Sequence, residues 1–304
     1  MKVFLTGATG FVGTHLLQAL TTRGHELTCL VRRKGRLKPP VREVLGDATS
    51  PEGLAEATAG MDAVIHLVGI IREFPEKGVT FQRLHVEATG NVVNAAIKAG
   101  VKRYLHMSAN GSRPHAPSPY HRTKWAAEEL VRRSGLAWTI FRPSIIFGPG
   151  DGFVTLLADM IRRAPLVPVI GDGRYLLQPV SVTTVAEGFA LALEKGEMEN
   201  KEMEKGETVG RSFEVGGPNR LTYDRVLDLV AEALGRRRPA KLHLPVCPVE
   251  LAAGLLGRFA WFPVTTDQIT MLLAGNTCDE RPFYDAFGLT PLPFAASLDY
   301  LRRS

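Results

Sequence analysis

Cysteine is scarce in this sequence: Cys29, Cys247 and Cys278 are the only three in 304 residues, odd in number and far apart. That excludes a disulfide framework and a zinc knuckle, and it points to a reducing cytoplasm. A long apolar run is also missing. The nearest approach, LPVCPVELAAGLLGRFAWFPV (Leu244 to Val264), contains Glu250, Arg258 and three prolines, whereas a membrane-spanning helix needs about 20 uninterrupted apolar residues. It reads as a helix buried in a smaller lobe, with a peripheral membrane or partner-protein contact as the other reading. No charged leader with an apolar core and cleavage site precedes the first strand pattern, so a cytoplasmic location is expected. The eight histidines include no close pair at metal-ligand spacing, and no metal is expected. The net charge of +6 comes from 37 dispersed Lys and Arg. No basic stripe is interleaved with stacking aromatics, which excludes a nucleic-acid partner.

What is present is 45% apolar residues with short, scattered Gly and Pro groups, the composition of a folded α/β protein. From residue 1 to about 142 the chain alternates β-branched runs with helical periodicity: VFLTG, ELTCLV, VREVLGD, DAVIHLV, KRYLHMS and AWTIFR are separated by helical stretches, including a long one from about Thr80. This predicts a doubly wound parallel sheet with helices on both faces. RSFEVGG reads as one more sheet strand. The expected dinucleotide-binding domain is therefore 1–151 with 181–217. Residues 152–180 and 218–304 form a smaller, mostly helical lobe over the carboxyl edge of the sheet, where ligands bind in this architecture. EKGEMENKEMEKGE (Glu194 to Glu207) reads as a solvated connection.

The first strand ends in TGATGFVG, with Gly7, Gly10 and Gly13 at spacing three and three before a helix. Glycines there let backbone amides approach a pyrophosphate at the positive end of the helix dipole. At the end of the second strand, CLVRRKGR places Arg32 and Arg33 where an acid would hold a ribose 2′-OH, so a 2′-phosphate, and NADP(H) over NAD(H), is favoured. Asp47 in LGDAT can accept from an adenine amine, and Gly69 in HLVG lets a cofactor lie across the sheet.

SPYHRTK (Ser118 to Lys124) supplies an N-cap at Ser118, a first helical residue at Pro119, and Tyr120 and Lys124 one turn apart on one face. An ordinary tyrosine has a pKa of about 10. A neighbouring ammonium and an oxidised nicotinamide lower it toward the working range, which suits proton exchange with a carbonyl or hydroxyl oxygen. Ser108 in HMSAN, twelve residues before the tyrosine, could bond the same substrate oxygen.

These residues together resemble an extended or atypical short-chain dehydrogenase/reductase of the NAD-dependent epimerase/dehydratase superfamily, over nearly the whole chain. Within it, HLVGIIRE, SPYHRTKWAAEELV, RPSIIFGPGDGF and TTDQITMLL are similar to the group of the NADPH-binding accessory subunit of mitochondrial complex I and its bacterial relatives. The resemblance implies that Tyr120 is the acid/base, that Lys124 binds the nicotinamide ribose and tunes Tyr120, and that Ser108 assists. It implies a cofactor surface that adds Thr9, Phe11 and Val12 to the glycine turn, Ala48 to Asp47, Leu67 and Val68 to Gly69, and Met107, with Pro143 and Ile145 at the nicotinamide end. Where family reductases commonly carry an asparagine for a proton relay through the lysine, this sequence has His85. Its imidazole either carries the relay or is a hydrogen-bonded helix residue.

Two functions compete on this reading. One is hydride transfer to or from a carbonyl or secondary alcohol, a nucleotide sugar among the candidates. The other is a non-catalytic NADPH-binding accessory protein that docks on a respiratory complex or membrane. Homodimers formed through helices of the sheet domain are common among superfamily relatives, and here would involve the helix carrying Tyr120.

Overall fold

The computed structural model describes residues 1–302 apart from 39, 165, 203–207, 258, 260, 261 and 263. The alternating half forms six strands, β1 (Lys2–Thr6), β2 (Glu26–Val31), β3 (Arg42–Leu45), β4 (Ala63–His66), β5 (Arg103–Met107) and β6 (Ala137–Pro143). Between them lie helices α1 (Phe11–Thr22), α2 (Leu54–Thr58), α3 (Ala88–Lys98) and α4 (Pro119–Arg132). The strand Arg211–Val215 completes a seven-stranded sheet in the order Arg211–Val215, β6, β5, β4, β1, β2, β3. Every pairing from β6 across to β3 is parallel. The chain reverses its direction of travel between β1 and β4, and the carboxyl ends of those two strands open the crevice in which a doubly wound sheet binds ligands.

Gly7 and Gly13 make the first β-to-α turn feasible. Gly7 sits at φ +80°, a region costly for other residues. A Cβ on Gly13 would lie 2.2 Å from the Gly7 carbonyl oxygen and 2.8 Å from Ala8 backbone atoms. Backbone on both sides cannot yield as a side chain would, so Gly13→Ala is expected to destabilise the protein by about 2 kcal/mol or more, measured by urea unfolding. An unchanged midpoint would mean that α1 can shift off the turn.

The chain divides into two compact units, Met1–Pro143 with Thr183–Glu214 and Arg281–Leu289, and Ser144–Val182 with Val215–Glu280 and Thr290–Ser304. In the first, Phe4, Val64 and Tyr104 of the sheet pack against Val92 and Ala96 of α3 and Val131 of α4. In the second, α5 (Phe153–Arg163) and the paired strands Leu166–Ile170 and Ala240–Leu244 share a core with α7 (Tyr223–Ala233), built on Phe147, Leu157, Val169, Leu227 and Phe294. Asp151 accepts from the Val154 and Thr155 amides at the start of α5 and from the Tyr300 hydroxyl at 2.5 Å, which ties the C-terminal turn to this core.

Two sequence expectations need correction. The charged run after Glu194 is not simply a connection: α6 runs through it, Val182–Glu202, because Glu, Lys and Met are strong helix formers whether or not they bury anything. Residues 203–207 of that run lie outside the described residues. The small lobe was also expected to continue unbroken from 218 to the C-terminus. After α8 (Val246–Leu256) and α9 (Thr266–Leu273) of the second unit, α10 (Arg281–Phe287) belongs to the first. Phe283 and Phe287 of α10 stack around Phe141, with Phe213 against Phe287, and Gly188 of α6 leaves the room that the Phe283 ring needs. Among the described residues no helix is long and apolar enough to cross a membrane.

Candidate functional site

Gly10 is the N-cap of α1, and no side chain caps that helix. Among the described residues the amides of Phe11, Val12 and Gly13 have no partner, since the first bond of the helix is Thr14 N–H to Gly10 O at 3.0 Å. Gly7 faces Leu67 and Val68, whose backbone atoms lie 3.1 and 3.2 Å from where its Cβ would be. A dinucleotide pyrophosphate fits such a turn: free amides, the positive helix end and no side chain in the way. Thr9 is exposed beside it, and Ala48 is buried next to Asp47. Asp47 Oδ1 accepts from both the amide and the hydroxyl of Thr49 at 2.9 Å, so one carboxylate oxygen is committed to the local turn. Arg32 and Arg33 are exposed just past the end of β2.

Ser118 holds the N-cap position of α4 with Pro119 at the first turn, but its hydroxyl makes no capping bond; it is buried without a partner among the described residues. The helix aims Tyr120 and Lys124 at the same ground. The Tyr120 ring is enclosed edge-on by Phe81 at 5.7 Å, His85 at 5.3 Å and His121 at 5.1 Å between ring centres. That enclosure withholds water from a phenolate and pushes the hydroxyl up to about 12. Burial is the cause of this shift, the lowering expected from Lys124 does not show in the protein alone, and the phenol stays protonated.

Lys124 is 3% exposed. Its Nζ donates to Met107 O at 3.0 Å and stands 2.8 Å from where a Cβ on Gly69 would be, so Gly69, Met107 and Lys124 meet at one point. Burial lowers the ammonium to about 8, with Glu128 opposing the shift. His85 lies on a π-wound turn, Gln82–Glu87, that leads into α3. Its Nδ1 meets Thr123 Oγ1 at 2.9 Å, and its Nε2 meets the Ile70 amide at 3.2 Å and the Ile70 carbonyl at 3.0 Å. Burial and the Lys124 charge hold it near 2, so the imidazole is neutral and engaged at both nitrogens.

Ser108 turns elsewhere. Its hydroxyl donates to Glu128 Oε1 at 2.5 Å. Glu128, fully buried, also accepts from Arg142 and Arg132 at 2.5 Å each, and both guanidinium groups lie over the Trp125 ring. This brace fixes α4 to β5 and β6. Sequence reasoning passed over Glu128, although it stands four residues past Lys124 on the same helix face. It also passed over the row Thr6, His66 and His106, which are register partners on β1, β4 and β5. Thr6 Oγ1 and His66 Nδ1 are 2.7 Å apart, and the two imidazoles stack at 5.6 Å.

Of the residues expected at the nicotinamide end, the Pro143 carbonyl accepts from the Asn110 amide in the first unit. Ile145 belongs to the second unit, where its amide donates to Asn276 Oδ1 at 2.9 Å. Buried Gln178 of the second unit is spent internally: its side-chain nitrogen donates to Gly217 O and Glu280, and its oxygen accepts from the Cys278 amide.

The chain is 28% identical over 249 residues to NADH dehydrogenase [ubiquinone] 1 alpha subcomplex subunit 9 of Arabidopsis thaliana, covering 79% of this chain and 59% of that one. It is 34% identical over 175 residues to the ceramide reductase of Caulobacter vibrioides, covering 56% and 54%. It thus spans less than two thirds of the length of either relative. The fold matches the UDP-glucose 4-epimerase of Thermotoga maritima with a TM-score of 0.76 at 19% identity, covering 100% of this chain and 98% of that one. The family model described as NAD dependent epimerase/dehydratase matches residues 3–216, through the glycine turn, the Tyr120 helix and the last sheet strand, and the chain belongs to that nicotinamide-dependent family.

Proposed function

We propose that the protein is an NADP(H)-dependent oxidoreductase that reduces a carbonyl group, with Tyr120 as proton donor. The observation that carries this reading is the junction of Lys124, Gly69 and Met107 one helical turn from a protonated Tyr120. With its pyrophosphate held by the amides of the glycine turn, a reduced dinucleotide would supply hydride to the carbonyl carbon. Tyr120 Oη gives its proton to the carbonyl oxygen. Lys124 stabilises the phenolate left behind, and His85 with Thr123 holds the helix turn on which both sit. A phenol that stays protonated has the proton a carbonyl oxygen needs as hydride arrives.

The test is NADPH consumption, followed by absorbance, against a panel of apolar ketones, ceramide-like carbonyls and nucleotide sugars. Turnover on any member supports the reading; tightly held NADPH that survives purification with no turnover sinks it. Cofactor choice has its own check. Arg32→Ala is expected to weaken NADPH binding about tenfold while leaving NADH within twofold, and equal effects would remove the phosphate argument.

One observation favours the second function, a docked accessory protein. α8 buries only Ala253, and Leu251, Leu255 and the following Phe259 are 67%, 63% and 40% exposed at intervals of four. A stripe of this kind suits a hydrophobic partner surface. In this reading the protein works in the cytoplasm against a respiratory complex or at the membrane face. Exposed Ile97 on α3 and Leu130 on α4 support pairing of two copies through these helices, checked by light scattering.

A further inference from the structure

The segment after β2 is unusually basic: Arg32, Arg33, Lys34, Arg36 and Lys38 fall within seven residues, and all five side chains are exposed. Like charges in such a loop repel one another, and only Leu37 offers an apolar surface to bury. Nothing in the segment itself selects one conformation.

What holds it is a side chain from the neighbouring strand. Glu43 lies on β3 in register with Cys29 of β2. Its Oε2 accepts from the Gly35 amide at 2.6 Å, and its Oε1 from the amides of Arg36 at 3.0 Å and Leu37 at 2.8 Å. Gly35 at φ +78° turns the backbone so that three successive N–H groups converge on one carboxylate, a nest for an anion. Among the described residues, 33–38 make no other hydrogen bond. The three donors hold the Glu43 carboxyl below its usual range, so the anchor is charged at neutral pH.

We propose that Glu43 is the positioning residue for recognition of the cofactor's 2′-phosphate: it pins the basic loop in the conformation from which Arg32 and Arg33 reach that group. The proposal rests on the NADP(H) reading above and adds a residue that touches no cofactor atom. Its physical content is preorganisation. Five basic side chains on an unpinned loop would have to be ordered by the ligand, and that ordering is charged against affinity.

Glu43→Ala removes every hydrogen bond that holds 33–38 among the described residues while leaving the β2–β3 backbone pairing in place. Binding is measured on the full chain by NADPH and NADH fluorescence, with 2′,5′-ADP and 5′-ADP as competing probes, so no substrate is needed. The expected result is a rise of about tenfold in Kd for NADPH and 2′,5′-ADP, the weight of one charge-assisted hydrogen bond, with NADH and 5′-ADP within about twofold and the melting temperature unchanged. Glu43→Gln keeps a carbonyl oxygen facing the amides and is expected to recover part of the loss. Arg32→Ala, run in parallel, separates the failures. If Arg32→Ala discriminates between the cofactors and Glu43→Ala does not, the positioning role is wrong and the NADP(H) reading stands. If neither discriminates, the NADP(H) reading falls and takes the proposal with it. If Glu43→Ala weakens both cofactors equally or lowers the melting temperature, Glu43 supports only the fold, and the proposal is overturned.

Discussion

Tyr120→Phe is expected to reduce carbonyl turnover by about 10²- to 10⁴-fold, the usual weight of a positioned general acid, while NADPH affinity changes little. Phenylalanine keeps the ring that packs against Phe81, His85 and His121 and loses only the donated proton. Turnover that survives the change would assign the proton to another group and end the case for Tyr120. The partner change, Lys124→Met, separates catalysis from stability. In the folded protein burial lowers the Lys124 ammonium from 10.5 to about 8. Between those values the unfolded chain binds the extra proton, so wild-type stability rises as pH climbs from 8 to 10.5 and carries the full penalty below 8. That penalty is about 3 kcal/mol at most, and losing the bond to Met107 O returns about 1 kcal/mol of it. Lys124→Met should therefore be inactive yet melt higher than wild type at pH 7, with the gap closing toward pH 10.5. A lower melting temperature at pH 7 would show that the buried ammonium is better satisfied than its surroundings indicate.

Acid should unfold the protein steeply. His66, held near 3, His85, near 2, and His106, held well below the ordinary imidazole value, are all lowered chiefly by burial, with the Lys124 charge adding to it. Each is neutral in the fold. In the unfolded chain each takes up a proton as pH falls through about 6.5, so the stability they contribute is complete above that pH and is lost below it, down to their folded values. Three protons cost about 4 kcal/mol per pH unit, against a total stability of about 5–15 kcal/mol for an ordinary domain. His121, lowered to about 4, adds to the loss over part of the range. Urea unfolding followed from pH 7 to pH 4.5 should show this slope, with collapse near pH 5. His106 makes no hydrogen bond among the described residues, so His106→Phe should reduce the slope by about one proton without a matching loss at pH 7. A slope unchanged in that variant would trace acid unfolding to other groups.

The sequence by itself determined the doubly wound sheet, the glycine turn and the shared face of Tyr120 and Lys124. The glycine turn and the shared face are each set over fewer than ten residues, by the φ that Gly7 requires and by the 3.6-residue helical repeat, and the sheet by strand and helix periodicity repeated along the chain. Only the tertiary structure decided where the polar groups around that face find their partners. Ser108 binds Glu128 twenty residues on, His85 meets Thr123 across 38, and Thr6 meets His66 across 60. The same holds for α10, drawn to Phe141 and Phe213 of the first unit rather than to its sequence neighbours. A backbone pattern fixes which face a side chain leaves from. Its partner is whatever the packing of distant segments brings within about 3 Å, and so is its proton affinity, because burial and a single lysine charge outweigh any preference carried in the local sequence.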